Sequence, residues 1–280
     1  MVMMKRALVL VAAIIACPDV FAAEQKITVD GSTGAAPLIE ALGKAFSARG
    51  NAVVAVGAGL GTKARLQALA AGKIDIAIAS HGLDISEVTK LELSLHRIAK
   101  TPIVFAVHQS VDLDNLTSAQ LCAIYAGSTR NWRELGGPDL AIIPLARPDS
   151  EVDAEVVRDV LDCFKNLKLA SEAKVLARAG ELARALAETT GAIGMTTATA
   201  VEQGGRRMRA LALNGIVADE SNVAAGRYRL TRDVFLVTGR SPPEPVNSFI
   251  AFVRSSEGAA VIKANGAIAA TNSHDGRKPK

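Results

Sequence analysis

Aromatic residues and cysteine are scarce in this chain of 280 residues. Phe, Trp and Tyr make up 4% of it and there are three cysteines, whereas 49% of the residues are hydrophobic. A chain of this length can bury one large core or two modest ones. Beyond residue 22 the cysteines are Cys122 and Cys163. They can form a disulfide in an oxidising compartment or lie buried as small hydrophobes, and without paired histidines they predict no metal site.

Long runs of charge of one sign are also missing. The 32 basic and 28 acidic residues leave a net charge of +4. Without the first 22 residues the counts are 30 and 27, or +3. The longest basic clusters are Arg206-Arg207 and the tail at 277–280. Because this surplus is spread thinly, we expect no nucleic-acid partner.

The motifs of common enzymes and cofactor sites are absent. The sequence has neither Gly-x-Ser-x-Gly nor His-Glu-x-x-His. Ser80 and His81 are adjacent on one strand end and point in different directions, which is poor geometry for a nucleophile and its base. The glycines at 57–61 have the spacing of neither a dinucleotide fingerprint nor a P-loop. We therefore expect no enzymatic activity and no cofactor.

The N-terminus has the features of a secretory signal peptide over residues 1–22. Lys5-Arg6 precedes an apolar run at 7–16, and small residues end at Ala22. The run has about ten residues, too few to span a bilayer. A competing interpretation takes residues 14–17 as a loose lipobox, which would leave a lipidated Cys17 as the mature N-terminus. Either way the protein is predicted to leave the cytoplasm, most simply for the periplasm.

A turn rich in small residues follows the first predicted strand. Residues 27–29 alternate as in a strand, and Pro37 opens a helix with one apolar stripe. The hydroxyls of Ser32 and Thr33, the small Gly34 and the free N–H groups of a helix start together suit an anion. The alternative is that Ser32 or Thr33 only caps the helix.

Two similar turns follow further along the chain. Residues 57–62 connect a Val-rich strand to a helix for which Thr62 is a good cap, and residues 80–82 end the buried strand at 74–79. Ligands bind beyond the carboxyl ends of strands in open α/β sheets. We therefore expect the three turns to share one crevice.

Two predicted strands, near 103–109 and 232–238, bracket a middle block that has its own helices and strands. The chain thus leaves one domain and returns to it. We predict a discontinuous first lobe at 23–105 and 236–280 and a second lobe at 106–235. The cleft between them is the expected pocket, and two crossing strands permit hinge closure.

Seven further segments form a recognisable series: residues 103–107 (IVFAV), 116–127 (LTSAQLCAIYAG), 131–132 (NW), 136–140 (GGPDL), 190–195 (TGAIGM), 228–237 (YRLTRDVFLV) and 249–258 (FIAFVRSSEG). Together they resemble, in order and over nearly the whole mature chain, the phosphate-binding proteins of bacterial ABC transporters, the PstS family. The resemblance implies the two-lobed α/β fold of type II periplasmic binding proteins, with two crossover strands as hinge. It also implies a monomer that delivers phosphate to ABC permease subunits. The alternatives are another oxyanion (tungstate, molybdate or sulfate) or a role in sensing.

The resemblance also implies a set of ligand-binding residues. By matched motif these are Thr33 and Gly34 on the first turn, Thr62 on the second, Ser80 and His81 on the third, and Arg147 and Ser150 in the second lobe. A guanidinium suits an oxyanion because it offers a planar fork of donors. If His81 contacts the ligand, binding depends on pH; the alternative is a solvated loop histidine.

The sequence departs from the family directly after Arg147. A Ser-Gly-Thr turn is expected there, but residues 149–155 include Asp149, Glu151 and Asp153. Two of these carboxylates in the cleft would outweigh Arg147 and repel a dianion. Alternatively, they cap the next helix and point to solvent.

Overall fold

The computed structural model describes residues 25–80 and 83–270, and only the backbone of residues 61–63. The predicted signal peptide, Cys17, His81 and the basic tail lie outside the described residues. The strands are β1 (Lys26–Gly31), β2 (Val53–Val56), β3 (Ile76–Ser80), β4 (Ser94–His108), β5 (Asn115–Leu116), β6 (Ile143–Ala146), β7 (Lys174–Val175), β8 (Ala192–Thr197), β9 (Met208–Ala210), β10 (Ala212–Leu213), β11 (Thr231–Thr238) and β12 (Ile268–Ala269). The α-helices are α1 (Ala36–Ser47), α2 (Gly61–Ala70), α3 (Ile85–Lys90), α4 (Ser118–Tyr125), α5 (Val152–Val160), α6 (Ala179–Glu188), α7 (Ala198–Gly204), α8 (Glu220–Ala224), α9 (Glu244–Val253) and α10 (Ser256–Ala264).

A mixed sheet runs through the described part of the chain in the order β2-β1-β3-β11-β4-β8-β6-β7, with β9 and β12 also paired to β4. At one end β1 lies parallel to β2 and β3, and at the other β6 lies parallel to β7 and β8. Helices flank it. The predicted α/β class with mixed sheets is confirmed.

Strands β4 and β11 connect the two ends of the sheet. They are antiparallel neighbours, from Ser94 opposite Thr238 to Pro102 opposite Thr231. Beyond Pro102, β4 continues as the partner of β8. The predicted crossing strands are confirmed, but β4 begins earlier than expected. Its first seven residues are polar at four positions, so they lack the apolar run that marks its second half.

The buried apolar side chains form two main clusters. One draws its residues from 103–230, and Tyr125 and Trp132 are fully buried in it. The other draws on residues 27–52, 76–99 and 234–267, where Phe46 packs edge-on against Phe249. The lobe boundaries given above stay a prediction, although the clusters divide close to them. Among the described residues, no helix has the length and apolar character needed to cross a membrane.

Cys122 on α4 and Cys163 on a short 3-10 helix (Asp162–Phe164) form a disulfide, with their Cα atoms 6.2 Å apart. Cys163 is exposed, so the alternative of two buried thiols is wrong. The bond connects segments 41 residues apart in the sequence.

Candidate anion-binding site

The first turn, after β1, is held by backbone hydrogen bonds. The Ser32 N–H donates to the Ile78 carbonyl at 3.0 Å, and the Ser32 carbonyl accepts from Ala35 and Ala36. The N-cap residue of α1 is Ala35, and no side chain caps the helix. The capping alternative for Ser32 and Thr33 is therefore wrong. Their side chains instead line a pocket.

The second turn is organised by Asp30, which the sequence analysis missed. Its Oδ1 accepts hydrogen bonds from the N–H groups of Gly31 at 2.6 Å, Gly59 at 3.0 Å and Leu60 at 2.8 Å. The N-cap of α2 is Leu60, so Thr62 is the second residue of the helix and its predicted role as cap is wrong. The amides of Gly59 and Leu60 are satisfied by Asp30 and are not left for a ligand.

A pocket of about 270 Å³ lies where the first turn, the start of α2 and the start of α5 meet. Its walls are formed by Gly31, Ser32, Thr33, Gly34, Gly59, Arg65, Arg147, Ser150, Glu151, Val152, Ala177, Arg178 and Arg232. Four predicted site residues, Thr33, Gly34, Arg147 and Ser150, are among them. Ser80 is not: it is buried, and its hydroxyl donates to the Asp233 carbonyl at 3.0 Å.

Arg147 directly follows β6, and its side chain is only 1% exposed. Nη1 donates to the Leu176 carbonyl at 2.8 Å and Nη2 to Glu151 Oε2 at 2.6 Å. Nε lies 3.8 Å from Asp153 Oδ2, an ion pair too long for a hydrogen bond. The guanidinium is thus fixed by one carbonyl and two carboxylates at the pocket wall.

Arg65 and Arg232 also line the pocket, and the sequence analysis named neither. Each is 2% exposed. Arg232 Nη1 donates to Asp153 Oδ1 at 3.0 Å, but Arg232 Nε and Nη2 and Arg65 Nε have no partner in the described structure. Burial lowers the pKa of Arg65, and the negative charge of Glu87 opposes this. Buried N–H groups nearly always have acceptors, and a guanidinium N–H group can donate to an anion or to water.

Two signals point to these arginines, one in the spacing of the sequence and one in the burial pattern of β11. Arg65 lies three residues after Thr62, which places both on one face of α2. In β11 the buried positions alternate, and Arg232 occupies one of them two residues before the buried Val234. A charged residue in the buried phase of a strand is a candidate for an internal site.

The acidic segment faces the arginines, so the interpretation as outward-pointing caps is wrong for Glu151 and Asp153. Asp153 has a side chain 3% exposed and pairs with Arg147 and Arg232. Glu151 occupies the N-cap position of α5 without making a cap hydrogen bond. Asp149 is different: its side chain is 90% exposed and pairs with Arg158 at 2.8 Å.

The expectation was that two carboxylates in the cleft would outweigh the positive charge of Arg147. It counted Arg147 alone, whereas Arg65 and Arg232 supply two further buried guanidiniums. At the rim, Arg178 contributes an exposed guanidinium with Glu181 4.0 Å away. The described pocket is therefore cationic. No cluster of His, Cys, Asp and Glu suited to a metal occurs in the part of the chain that the structure describes.

The profile of the PBP superfamily domain matches residues 22–257. The chain belongs to the PBP superfamily. It is similar to PstS phosphate-binding proteins: that of Bacillus subtilis is 27% identical over 214 residues, which cover 74% of this chain and 67% of the relative. That of Borreliella burgdorferi is 23% identical over 254 residues, covering 87% and 89%.

Solved structures of phosphate-binding proteins are similar to this chain as well. A protein described as a phosphate ABC transporter substrate-binding protein, from Clostridium perfringens with bound phosphate, matches with a TM-score of 0.73 at 25% identity, over 88% of this chain and 100% of that one. An ABC-type phosphate transport receptor from Vibrio cholerae matches with a TM-score of 0.58 at 26% identity, over 86% and 99%. The predicted resemblance to the PstS family is confirmed.

Proposed function

We propose that this protein is an exported, non-enzymatic binding protein that captures an inorganic oxyanion, most simply phosphate, for uptake by an ABC transporter. One observation carries the proposal. Three guanidiniums, each at most 3% exposed, meet at one pocket, and each has at least one buried N–H group for which the described residues provide no hydrogen-bond acceptor. Charge-assisted hydrogen bonds from arginine are the strong, directional contacts that an oxyanion accepts.

The walls of the pocket come from both ends of the sheet, which are called its two sides below. Ser32, Thr33, Gly34 and Arg65 belong to the N-terminal part of the chain, and Arg147 to the middle block. An oxyanion that accepts hydrogen bonds from both sides draws them together. Strands β4 and β11, which connect the two sides, are the place where such a closure would bend.

Two direct contacts already join the two sides, one at the rim of the pocket and one away from it. Arg178 Nη1 donates to the Ala58 carbonyl at 3.1 Å, and Gln203 Nε2 donates to the Pro37 carbonyl at 3.0 Å. Both donors are on the middle block and both acceptors on the N-terminal part. These contacts help to hold the arrangement in which the arginines converge.

Delivery to ABC permease subunits, a monomeric state and a periplasmic location belong to the same proposal. They rest on the resemblance to PstS proteins and on the predicted signal peptide. Fractionation of cells that express the full chain tests the location: the mature protein should be released with the periplasmic contents. A lipidated Cys17 would instead leave it in the membrane fraction.

Calorimetric titration of the mature protein with phosphate, sulfate, molybdate and tungstate tests the binding function. Phosphate should bind, and Arg147→Ala should weaken binding by about 1.5 to 3 kcal/mol, since the change removes a charge-assisted donor. Arg133→Ala is the matched control, because Arg133 is 67% exposed in a surface pair with Asp139. Equal affinities for the wild type and Arg147→Ala would contradict the assignment of the pocket.

A further inference from the structure

Arg178 differs from the other three arginines of the pocket. Arg65, Arg147 and Arg232 are buried, whereas the side chain of Arg178 is 58% exposed. Arg178 occupies the N-cap position of α6, but its side chain makes no cap hydrogen bond there. The guanidinium instead crosses the rim of the pocket, where Nη1 donates to the Ala58 carbonyl at 3.1 Å. This bond joins the middle block to the N-terminal part of the chain.

The acceptor of this bond belongs to a turn that is fixed to β1. Just before Ala58, the Gly57 N–H donates to the Val29 carbonyl at 2.7 Å. Just after it, two successive N–H groups donate to Asp30, which also accepts from Gly31 in the first turn. Because these bonds hold the turn in place, the Ala58 carbonyl is a fixed point of the N-terminal part.

The donor is equally well connected to the middle block. Two residues before Arg178, the Leu176 carbonyl accepts from Arg147 Nη1 at 2.8 Å, and the Leu176 N–H donates to the Ala146 carbonyl at 2.9 Å. Ala177, between Leu176 and Arg178, lines the pocket. The segment 176–178 therefore holds a ligand-facing arginine and also carries the contact across the rim. When the two sides separate, the bond to Ala58 breaks, while the contact with Arg147 stays within the middle block.

We propose that Arg178 governs how long an anion stays in the pocket, by holding the two sides together at the rim. The inference rests on the proposed function and adds a residue that acts on release. An anion held between two sides leaves when they separate, and this requires the bond between Arg178 and Ala58 to break. A single exposed hydrogen bond is weak enough to open repeatedly. Its loss shortens the residence of the anion and leaves the three buried guanidiniums in place.

The positive charge of Arg178 has a second possible effect, because a cation at the rim attracts anions. Attraction of this kind raises the association rate and is screened by salt. A hydrogen bond across the rim acts on the dissociation rate instead. Glu181, 4.0 Å from Arg178 Nε, offsets part of the charge. Measuring both rates at low and high salt therefore separates the two effects.

The test is the release of radiolabelled phosphate into excess unlabelled phosphate, followed by rapid filtration, for the wild type and Arg178→Ala. Release from the variant should be about three- to tenfold faster, the range expected for the loss of one hydrogen bond. At about 0.5 M salt the association rates should agree within about twofold. Calorimetric titration should show a loss of affinity that matches the faster release, and circular dichroism establishes that the variant is folded.

Two controls separate the rim contact from other arginines and from other contacts between the sides. Arg133→Ala removes an exposed arginine away from the pocket and should release phosphate as slowly as the wild type. Gln203→Ala removes the hydrogen bond to the Pro37 carbonyl, and neither residue lines the pocket. It should accelerate release less than Arg178→Ala does, because the contact at the rim remains.

Three results overturn the inference while the binding function stands. They are equal release from the wild type and folded Arg178→Ala, equal acceleration by Gln203→Ala, and an effect of Arg178→Ala on association alone that disappears at high salt. Failure of the wild type to bind phosphate overturns the proposed function, and the inference with it.

Discussion

The guanidinium of Arg232 lies against the backbone of Gly34. A Cβ atom at Gly34 would come within 2.6 Å of both Nη1 and Nη2 of Arg232. The first turn, after β1, and the crossing strand β11 therefore approach each other only because residue 34 has no side chain. The contact places a buried cation beside the hydroxyls of Ser32 and Thr33.

Gly34→Ala should displace Arg232 and weaken phosphate binding by at least tenfold, about 1.4 kcal/mol. The added methyl group has no room unless the guanidinium moves away from the pocket. Calorimetric titration measures the loss. Gly180→Ala is the matched control, because nothing lies within 4 Å of a Cβ there. If the two variants bind phosphate equally well, Arg232 does not depend on the space that Gly34 leaves.

Asp30→Ala should lower the free energy of unfolding by about 1 to 3 kcal/mol, because three backbone N–H groups lose their acceptor. Urea denaturation of the mature protein measures this. Asp30→Asn keeps a carbonyl oxygen in place and should recover part of the loss. A neutral effect of Asp30→Ala would mean that water replaces the carboxylate without cost.

The Cys122–Cys163 disulfide should stabilise the protein by about 2 to 4 kcal/mol, since it closes a long loop in the unfolded chain. The double variant Cys122→Ser with Cys163→Ser should show this loss in denaturant unfolding. Dithiothreitol should destabilise the wild type and leave the double variant unchanged. Phosphate affinity should stay the same, because neither cysteine lines the pocket. Equal stability with and without the bond would contradict the prediction.

His96 should make the protein less stable as the pH falls below about 6.5. Burial, and then the positive charge of Arg254, lowers the pKa of His96 from its usual 6.5 to about 4. Between these values the unfolded chain binds more protons than the folded one, so the free energy of unfolding decreases as the pH drops through this window. Partial exposure of the ring moderates the effect.

His96→Gln should flatten this pH dependence, because glutamine does not titrate and can still reach the Thr238 hydroxyl, which lies 3.0 Å from Nε2. Urea unfolding at about pH 7, 5.5 and 4.5 gives the comparison. Wild type and variant should differ in slope only at the two lower values. Parallel curves would show that His96 is protonated alike in the folded and unfolded chains.

Local patterns in the sequence predicted most of the fold. The apolar stripe of Leu38, Leu42 and Phe46 predicted α1, and the run before Ser80 predicted β3. Both depend on periodicity within one segment, and a single sequence contains that information. The early start of β4 was missed because its polar first half is recognisable as a strand only beside β11.

Sequence analysis found only those site residues that lie in a turn between a strand and a helix. Thr33, Gly34, Arg147 and Ser150 follow strand ends or precede helices, and the structure brings them to one pocket. The predicted cap at Thr62 was wrong. The N–H groups of Gly59 and Leu60, just before α2, donate to Asp30, which lies 29 and 30 residues earlier in the chain. Long-range partners of this kind leave no trace in local spacing.

The same limit explains the acidic segment. Asp153 has the sequence context of a helix-capping residue. Its actual partner, Arg232, lies 79 residues further along the chain. Only the fold places the two side by side, so the charge of the pocket could not be obtained by counting the residues around Arg147.

The pairing of β4 with β11 also determines where the protein chain can be cut and rejoined. Pro102 lies opposite Thr231, and the Ile103 N–H donates to the Leu230 carbonyl at 2.8 Å. Residues 103–230 therefore start and finish side by side, as an insert does within a host domain. Adjacent ends of this kind are what circular permutation and domain transplantation require. A fragment covering 103–230 could thus be joined end to end by a short linker, and the remaining chain could be closed by another.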